Sequence, residues 1–354
     1  MQLPFCSIIV LNYQGERIIR ATLESLSKLS YPKDRFEVIV VDNNSMDKSR
    51  EVIENYIDSR LRGNDTLVPT ANDPSTSLRV NYPLTTLYLD KNLGFAGGNN
   101  EGIRIAKGTY VVLLNNDCIV DPSWLTELVK VAEKDEKIFA VGSKVYLQQT
   151  NKIQNAGIIM FEDGYGRDVG AVVKNHTQNY AEDIGQYNRE KETYAACAVA
   201  ALYRKSILDR IGLLDDAFFM YYEDVELSER ARMRGFKIMY APHAIVHHDH
   251  AASSGEWSNF FIYQSELGRL LHVFFWFPQR IFWREYLKFF GKSLLRIPLG
   301  IRRNKLNQQS QYIKISLFIV FHLVELCKKR NKKHEGIPKG VIEKNYQSIK
   351  DNKR

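Results

Sequence analysis

Only four cysteines (Cys6, Cys118, Cys197 and Cys327) occur in the chain, and no two stand at a paired spacing. A zinc site or a disulfide framework is therefore not expected, and a reducing cytosol fits. A bilayer span needs about 20 apolar residues. The longest strongly apolar stretch, Ile315 to Cys327, is shorter and is broken by Ser316, His322 and Glu325. The N-terminus enters an apolar run without the basic segment and cleavage site of a secretory signal. No internal repeat is evident. What is there is a chain of 354 residues, 44% hydrophobic and 25% charged, which rules out wholesale disorder and can bury a large core.

Charge is spread unevenly. The total is +8, yet residues 279–306 carry eight Lys/Arg against Glu285, and residues 328–354 carry ten against three acids. Each of these segments is +7, residues 307–327 balance, and residues 1–278 are left at −6. A mildly acidic body with a basic C-terminal quarter argues against a nucleic-acid-binding protein and for an appendage that meets something anionic.

Short apolar runs alternate with helical patterns over the first hundred residues. Strands are predicted at Ser7–Leu11, Phe36–Val41, Leu87–Leu89 and Tyr110–Leu114, and helices at Glu16–Leu29, Ser49–Ile57 and Asn99–Ala106. That order implies an α/β fold with a mixed, mostly parallel sheet and right-handed crossovers. Residues 58–86, rich in Asn, Asp, Pro, Ser and Thr, read as a surface insertion.

Ligands of open parallel sheets bind outside the carboxyl ends of the strands, and three strand ends are polar: Asn12-Tyr13, Asp42-Asn43-Asn44-Ser45 and Asn115-Asn116-Asp117. Asp42 can accept from the imide of a uracil or thymine or from a ribose hydroxyl, or it can form a turn. Asn92 to Asn100, with Gly94, Gly97, Gly98 and Asn99, precedes a predicted helix whose free N–H groups would attract phosphate. This segment is neither a GxGxxG fingerprint nor a P-loop, and a plain glycine-rich turn is the alternative. Asp117 sits where Mg²⁺ or Mn²⁺ on a diphosphate needs an oxygen ligand. Glu223 and Asp224 follow the aromatic run Phe218 to Tyr222 and open a helix bearing Arg230, Arg232 and Arg234. One of the pair can serve as a general base and the other in support, or both can cap the helix and pair with its arginines. Among His243, His247, His248 and His250, one can complete the metal site.

In this order the motifs SIIVLNYQG, VIVVDNNSMDKS, LYLDKNLGFAGGNNEGI, YVVLLNNDCIVDPSWL and IGLLDDAFFMYYEDVELSERARMRGFKI resemble bacterial glycosyltransferase family two, especially its rhamnosyltransferase-like members. The matching stretches cover roughly residues 6–250 apart from the insertion. The resemblance implies a GT-A (Rossmann-like) catalytic domain over residues 1–255 and inversion at the anomeric carbon. It implies a nucleotide-diphospho-sugar donor, dTDP- or UDP-linked by preference, and a hydroxyl acceptor on a glycan or lipid-linked glycan in cell-surface polysaccharide synthesis. Asn12, Asp42, Asn44, Asn92, Gly97, Gly98, Asn99, Asn115 and Asn116 would hold the donor. Asp117, matching the last position of an Asp-x-Asp motif, and His247 would hold a divalent cation. Asp224 would be the base, with Glu223 in support. One departure is that Asn115 and Asn116 stand where many members carry aspartates. The rival readings are a nucleotidyltransferase, which should carry a basic phosphate loop after its first strand, and a non-catalytic glycan- or membrane-binding protein.

Beyond residue 255, a helix is expected between Pro278 and Pro298, with Arg280, Arg284, Lys288, Lys292 and Arg296 every four residues and Trp, Phe and Leu between them. That is the composition of an interfacial helix on an anionic membrane surface. A basic flexible tail is expected over residues 331–354. A peripheral position on the inner face of the plasma membrane follows as an expectation.

Overall fold

The computed structural model describes residues 3–61, 82–174, 177–249, 258–302, 305–350 and 352, so most of the expected insertion and His250 lie outside the described residues. The runs Ser7–Leu11, Phe36–Val41 and Tyr110–Leu114 form the strands they predict, buried on both faces, whereas the expected Leu87–Leu89 lies at the end of a partly buried edge strand. β1 (Cys6–Asn12), α1 (Ile19–Ser27), β2 (Phe36–Asp42), α2 (Ser49–Leu61) and β3 (Leu84–Tyr88) give parallel pairs β1–β2 and β2–β3. Along these strands alternate residues go to different cores: Ile8, Val10, Val38 and Val40 to one, Ile9, Ile39 and Val41 to the other. A strand covered on both sides reads as a continuous apolar run.

α3 (Gly94–Ile105) leads into β4 (Tyr110–Asn115), parallel to β1. β5 (Cys118–Val120), α4 (Trp124–Ala132) and β6 (Ile138–Leu147) follow. A set of short pieces comes next: β7 (Ile153–Asn155), β8 (Ile158–Met160), β9 (Gly166–Asp168), β10 (Ala171–Lys174), β11 (Thr177–Tyr180) and β12 (Lys191–Glu192). β13 (Ala200–Arg204), α5 (Lys205–Ile211), α6 (Glu223–Arg232) and β14 (Lys237–His248) complete the sheet in the order β12-β14-β6-β13-β4-β1-β2-β3. β13 runs antiparallel to β4 and β6, so the sheet is mixed, as expected.

Four helices and a fifth short one follow: α7 (Asn259–Trp276), α8 (Gln279–Arg302), α9 (Leu306–Phe321), α10 (Leu323–Lys333) and α11 (Val341–Lys350). They share a core with the sheet domain, in which Phe218, Val225 and Met160 pack with Leu270, Phe274, Phe282 and Ile315. Two expectations change here. α8 continues through Pro298, which is exposed, to Arg302. The expected flexible tail contains α11, whose Tyr346 and Ile349 are buried in that core. Apolar residues three apart on one short helix outweigh the surrounding lysines.

Candidate functional site

Three polar strand ends meet at one edge of the sheet. The register sets Asn12 beside Asp42 and Leu11 beside Asn115, so β1, β2 and β4 end level with one another. Asn116 donates through Nδ2 to Asn12 Oδ1 at 2.8 Å, and Asn12 Nδ2 reaches Ser45 Oγ at 3.3 Å. Gly15 makes that pair possible, since a Cβ there would stand 2.1 Å from Asn12 Oδ1 and 2.5 Å from Asn116 Nδ2. Asn44 takes a left-handed φ of 63°, which turns the backbone so that Ser45 N donates to Asp42 Oδ1 at 2.8 Å. Asp42 Oδ2 and Asn115 Oδ1 are enclosed with no hydrogen-bond partner among the described residues. An enclosed acceptor without a donor is costly unless a ligand fills it.

The glycine-rich segment behaves differently from its expectation. Gly94 to Gly98 form the first turns of α3 instead of a loop before it. Its leading N–H groups are taken by the protein: Leu93 N donates to Asn43 Oδ1, Gly94 N to Asn92 Oδ1 and Phe95 N to the Phe219 carbonyl, at 2.9, 2.8 and 2.7 Å. Cβ atoms at Gly97 and Gly98 would fall 2.8 Å from Leu93 Cβ and 2.5 Å from Leu11 Cδ1, so these glycines serve close packing. Asn99 donates to the Phe95 carbonyl inside the helix. Asn92, Gly97, Gly98 and Asn99 thus build the wall behind the site, and α3 is no phosphate cradle.

Asp117 lies in the turn after β4, and β5 carries the chain antiparallel along β14, pairing Cys118 with His248. His248 Nε2 is 3.0 Å from Asp117 Oδ1, with both side chains buried. On the other side of the ring, His248 Nδ1 is 2.6 Å from Gln154 Oε1, a contact that orients the ring and turns Nε2 toward the carboxylate. Asp117, Cys118 and His248 form a cluster whose ligand atoms lie within 4.8 Å of one another. Oxygen and imidazole donors suit Mg²⁺ or Mn²⁺. Burial raises the Cys118 thiol well above its ordinary pKa, which leaves it neutral and unsuited to a hard cation. The expected histidine was His247. Neighbouring strand residues point to opposite faces, and His247 instead stacks on Tyr146 and lies 3.7 Å from Asp121.

The carboxylate pair opens α6. Tyr221 and Tyr222 both hold φ of 69°, an uncommon conformation for bulky residues that persists only where the surroundings impose it. Tyr222 OH donates to the Gly164 carbonyl and accepts from Gly166 N, and Tyr221 packs edge-on against Phe261 of α7. Asp224 is half-buried; its Oδ2 accepts from Ala198 N at 3.0 Å and its Oδ1 from Val225 N at 2.7 Å. Glu223 is buried, and its Oε2 has no hydrogen-bond partner among the described residues. Burial, then the Asp224 charge, holds the Glu223 carboxyl well above the usual range. Burial raises Asp224 as well, but three backbone N–H groups oppose it. Of the two, Glu223 is held the further above its usual range, so Asp224 is the first to ionise. The expected pairing with the downstream arginines falls to another residue, since Arg230 bonds Glu226 at 2.5 Å.

Asp168, in β9, links the two sides and was not singled out by the sequence. It lies in a three-residue strand without usable periodicity. Its Oδ1 accepts from Asn155 Nδ2 at 2.7 Å. Burial pushes its pKa up to about 6; the Asn155 bond lowers it, the Asp224 charge raises it and His248 lowers it. Asp168 is therefore within electrostatic reach of both the base pair and the histidine.

The family model described as "Glycosyl transferase family 2" matches residues 7–212. Among curated proteins, the chain is 28% identical over 258 residues to protein y4gI of Sinorhizobium fredii, covering 71% of this chain and 25% of that one. It is 26% identical over 277 residues to the O-antigen biosynthesis protein RfbC of Myxococcus xanthus, covering 75% of this chain and 19% of that protein. The chain thus spans about a quarter or less of the length of these relatives. Among solved structures, GalNAc-T7 with UDP, GalNAc and Mn²⁺ aligns with a TM-score of 0.60 at 15% identity, over 92% of this chain and 58% of that one. That likeness shows the fold, the GT-A arrangement expected from the motifs.

Proposed function

From the premise that this chain belongs to glycosyl transferase family 2, we propose that it transfers a sugar from a nucleotide-diphosphate donor to a hydroxyl of a glycan or lipid-linked acceptor, with inversion. One observation carries the reading. Acceptors without partners end β2 and β4, the Asp117–His248 pair lies in the turn after β4, and Asp224 bonds Ala198 N just before the start of β13, which pairs with the end of β4.

Asp42 Oδ2 would accept the imide N–H of a uracil or thymine or a ribose hydroxyl, which suits a UDP- or dTDP-sugar. Asn12, Asn44, Asn115 and Asn116 would shape the nucleoside side of the pocket. Asp117 and His248 would hold a divalent cation, which supplies positive charge against the diphosphate. Asp224 would take the proton of the attacking hydroxyl, and the backbone N–H groups of Ala198 and Val225 hold its carboxylate in one orientation. Glu223, whose carboxyl burial and the Asp224 charge hold well above the usual range, would not compete with Asp224 for that proton. A hexose, rhamnose included, on a growing surface polysaccharide fits the naming of the O-antigen relative. The nucleotidyltransferase reading calls for a basic phosphate loop after the first strand, and that position is filled by the Asn12–Asn116 pair over Gly15.

A panel of UDP-, dTDP- and GDP-sugars, screened by thermal shift and by hydrolysis with and without Mn²⁺, tests the proposal. One or a few pyrimidine donors should stabilise the protein and turn over. No binding and no turnover across the panel would remove it.

A further inference from the structure

The C-terminal helices leave uncovered a kind of surface that the catalytic domain buries. Along α8, Trp283, Leu287, Phe290, Leu294 and Ile301 recur three, four or seven residues apart and so share one side of the helix. All five are exposed, Leu287 at 63% and Ile301 at 66%. The core-facing side is a different one, where Phe282, Tyr286, Phe289 and Ser293 are buried. A further side is basic, with exposed Arg284, Lys288, Lys292 and Arg302. Around the α9–α10 bend, Leu317, Val320, Phe321 and Val324 are exposed as well, Phe321 at 78%. Tyr286 OH donates to the Ser316 carbonyl at 3.0 Å, so the end of α9 lies alongside the first half of α8. Scattered exposed apolar residues are ordinary, but a stripe on one helix side needs an occupant.

Charge decides among occupants. Glu285 is the sole acid in residues 279–306, and its nearly buried carboxylate is already shared by Arg284 and Lys288. A second copy laid on this side would face lysine and arginine with lysine and arginine. A surface of anionic headgroups over an acyl interior answers both the basic side and the apolar stripe. No single described helix is long and apolar enough to cross a membrane. Only α9 and α10 taken together pass that test, bent by 70°, and Ile315, Ile319 and Leu326 on that pair are buried in protein. A helix with one side packed on its own domain meets lipid with the other.

We propose that α8 and the α9–α10 bend lie in the plane of an anionic membrane surface, with the stripe in the headgroup–acyl boundary and the basic side at the phosphates. The full chain should co-sediment with vesicles of equimolar phosphatidylcholine and phosphatidylglycerol and far less with phosphatidylcholine alone. Binding should weaken as salt shortens the screening length from about 30 Å at 0.01 M to about 8 Å at 0.15 M. The triple variant Leu287→Glu, Leu294→Glu, Ile301→Glu should lose at least about tenfold in vesicle affinity while keeping its melting temperature, because all three side chains are at least half exposed. Lys288→Gln with Lys292→Gln should weaken binding to the anionic vesicles alone. Equal co-sedimentation of wild type and triple variant, or no binding to anionic vesicles, would overturn the proposal. So would a lipid-free dimer in sedimentation equilibrium that the triple variant dissolves, since that assigns the stripe to a second copy. None of these readouts uses a sugar nucleotide, so their failure is separable from failure of the transferase reading.

Discussion

At the ends of β2, β4 and the start of α6, buried polar atoms are left without partners: Asp42 Oδ2, Asn115 Oδ1 and Glu223 Oε2. Where α10 meets α6, the buried acids Glu226 and Asp215 are instead each paired with two cations. Glu226 accepts from Arg230, Trp276 and Lys333 at 2.5, 3.2 and 2.6 Å, and Asp215 pairs with Lys333 and Lys329. Burial would raise both acids, but the lysines and Arg230 outweigh it and hold both below the usual range. The outer sides of α8 and of the α9–α10 bend leave apolar surface exposed. Unfilled acceptors await a small polar ligand, whereas filled ion pairs fasten one element to another. Both kinds of burial sit on the same helix, because α6 starts with the candidate base and is gripped three residues later by α10.

The largest expected effect tests the unfilled side. Asp224→Asn should lower transfer by about 10³-fold, within the range for losing a general base, with donor affinity within a few-fold of wild type. Glu223→Gln copies a protonated carboxyl and should stay within about tenfold. Equal losses in transfer kinetics from the two variants would show that the pair shares the role.

The matched side should answer in stability. Lys333→Met leaves Glu226 and Asp215 short of a cation in a buried setting and should cost about 4 kcal/mol in denaturant unfolding, since breaking a buried pair from one side strands the other charge. A loss below about 1 kcal/mol would mean that α10 rests on α6 without fastening it. Glu229, one turn further along, gives a pH test of the adjoining contact with α11, where Asn345 donates to it. Burial drives its pKa up to about 7, against Arg232, Tyr194 and Asn345, from an ordinary 4.5. Between those values the native state keeps a proton that the unfolded chain has released, so stability falls as pH rises from about 4.5 to about 7 and levels above. Glu229→Gln should flatten that slope, worth up to about 3 kcal/mol at 1.36 kcal/mol per unit. An unchanged slope would place its origin elsewhere.

The two regions were not equally legible in the sequence. β1, β2 and β4 could be read because strands buried on both faces are written as unbroken apolar runs, and Asp42 and Asp117 stand out where the runs stop. The start of α3 could not. Glycine disfavours helix locally, and only the approach of Leu11 to Gly98 explains why glycines open one. Lys333 reads as part of a flexible tail because Asp215 and Glu226, with which it pairs, lie more than a hundred residues away. Asp168 was hidden for a similar reason, its neighbours Asn155, Asp224 and His248 being brought together only by the short hairpins.

The histidine choice is the finest of these distinctions, because a strand shifted by one residue exchanges its faces and nothing in Val246-His247-His248 says which ring turns inward. The pairing of His248 with Cys118 decides it, through a strand of only three residues. His248→Ala should raise the Mn²⁺ concentration needed for half-maximal donor binding by about 10–100-fold, as disturbing a metal's ligand surroundings does. Gln154→Ala should move it in the same direction by less, since it frees the ring that Gln154 orients. His247→Ala removes only a ring stacked on Tyr146 and should leave the Mn²⁺ dependence unchanged. Isothermal titration of the three variants with Mn²⁺ and the donor found by screening separates these outcomes. A reversed order, with His247→Ala the more damaging, would mean that β14 carries its donor-side face one residue earlier, and that Asp121 rather than Asp117 is the carboxylate beside the metal.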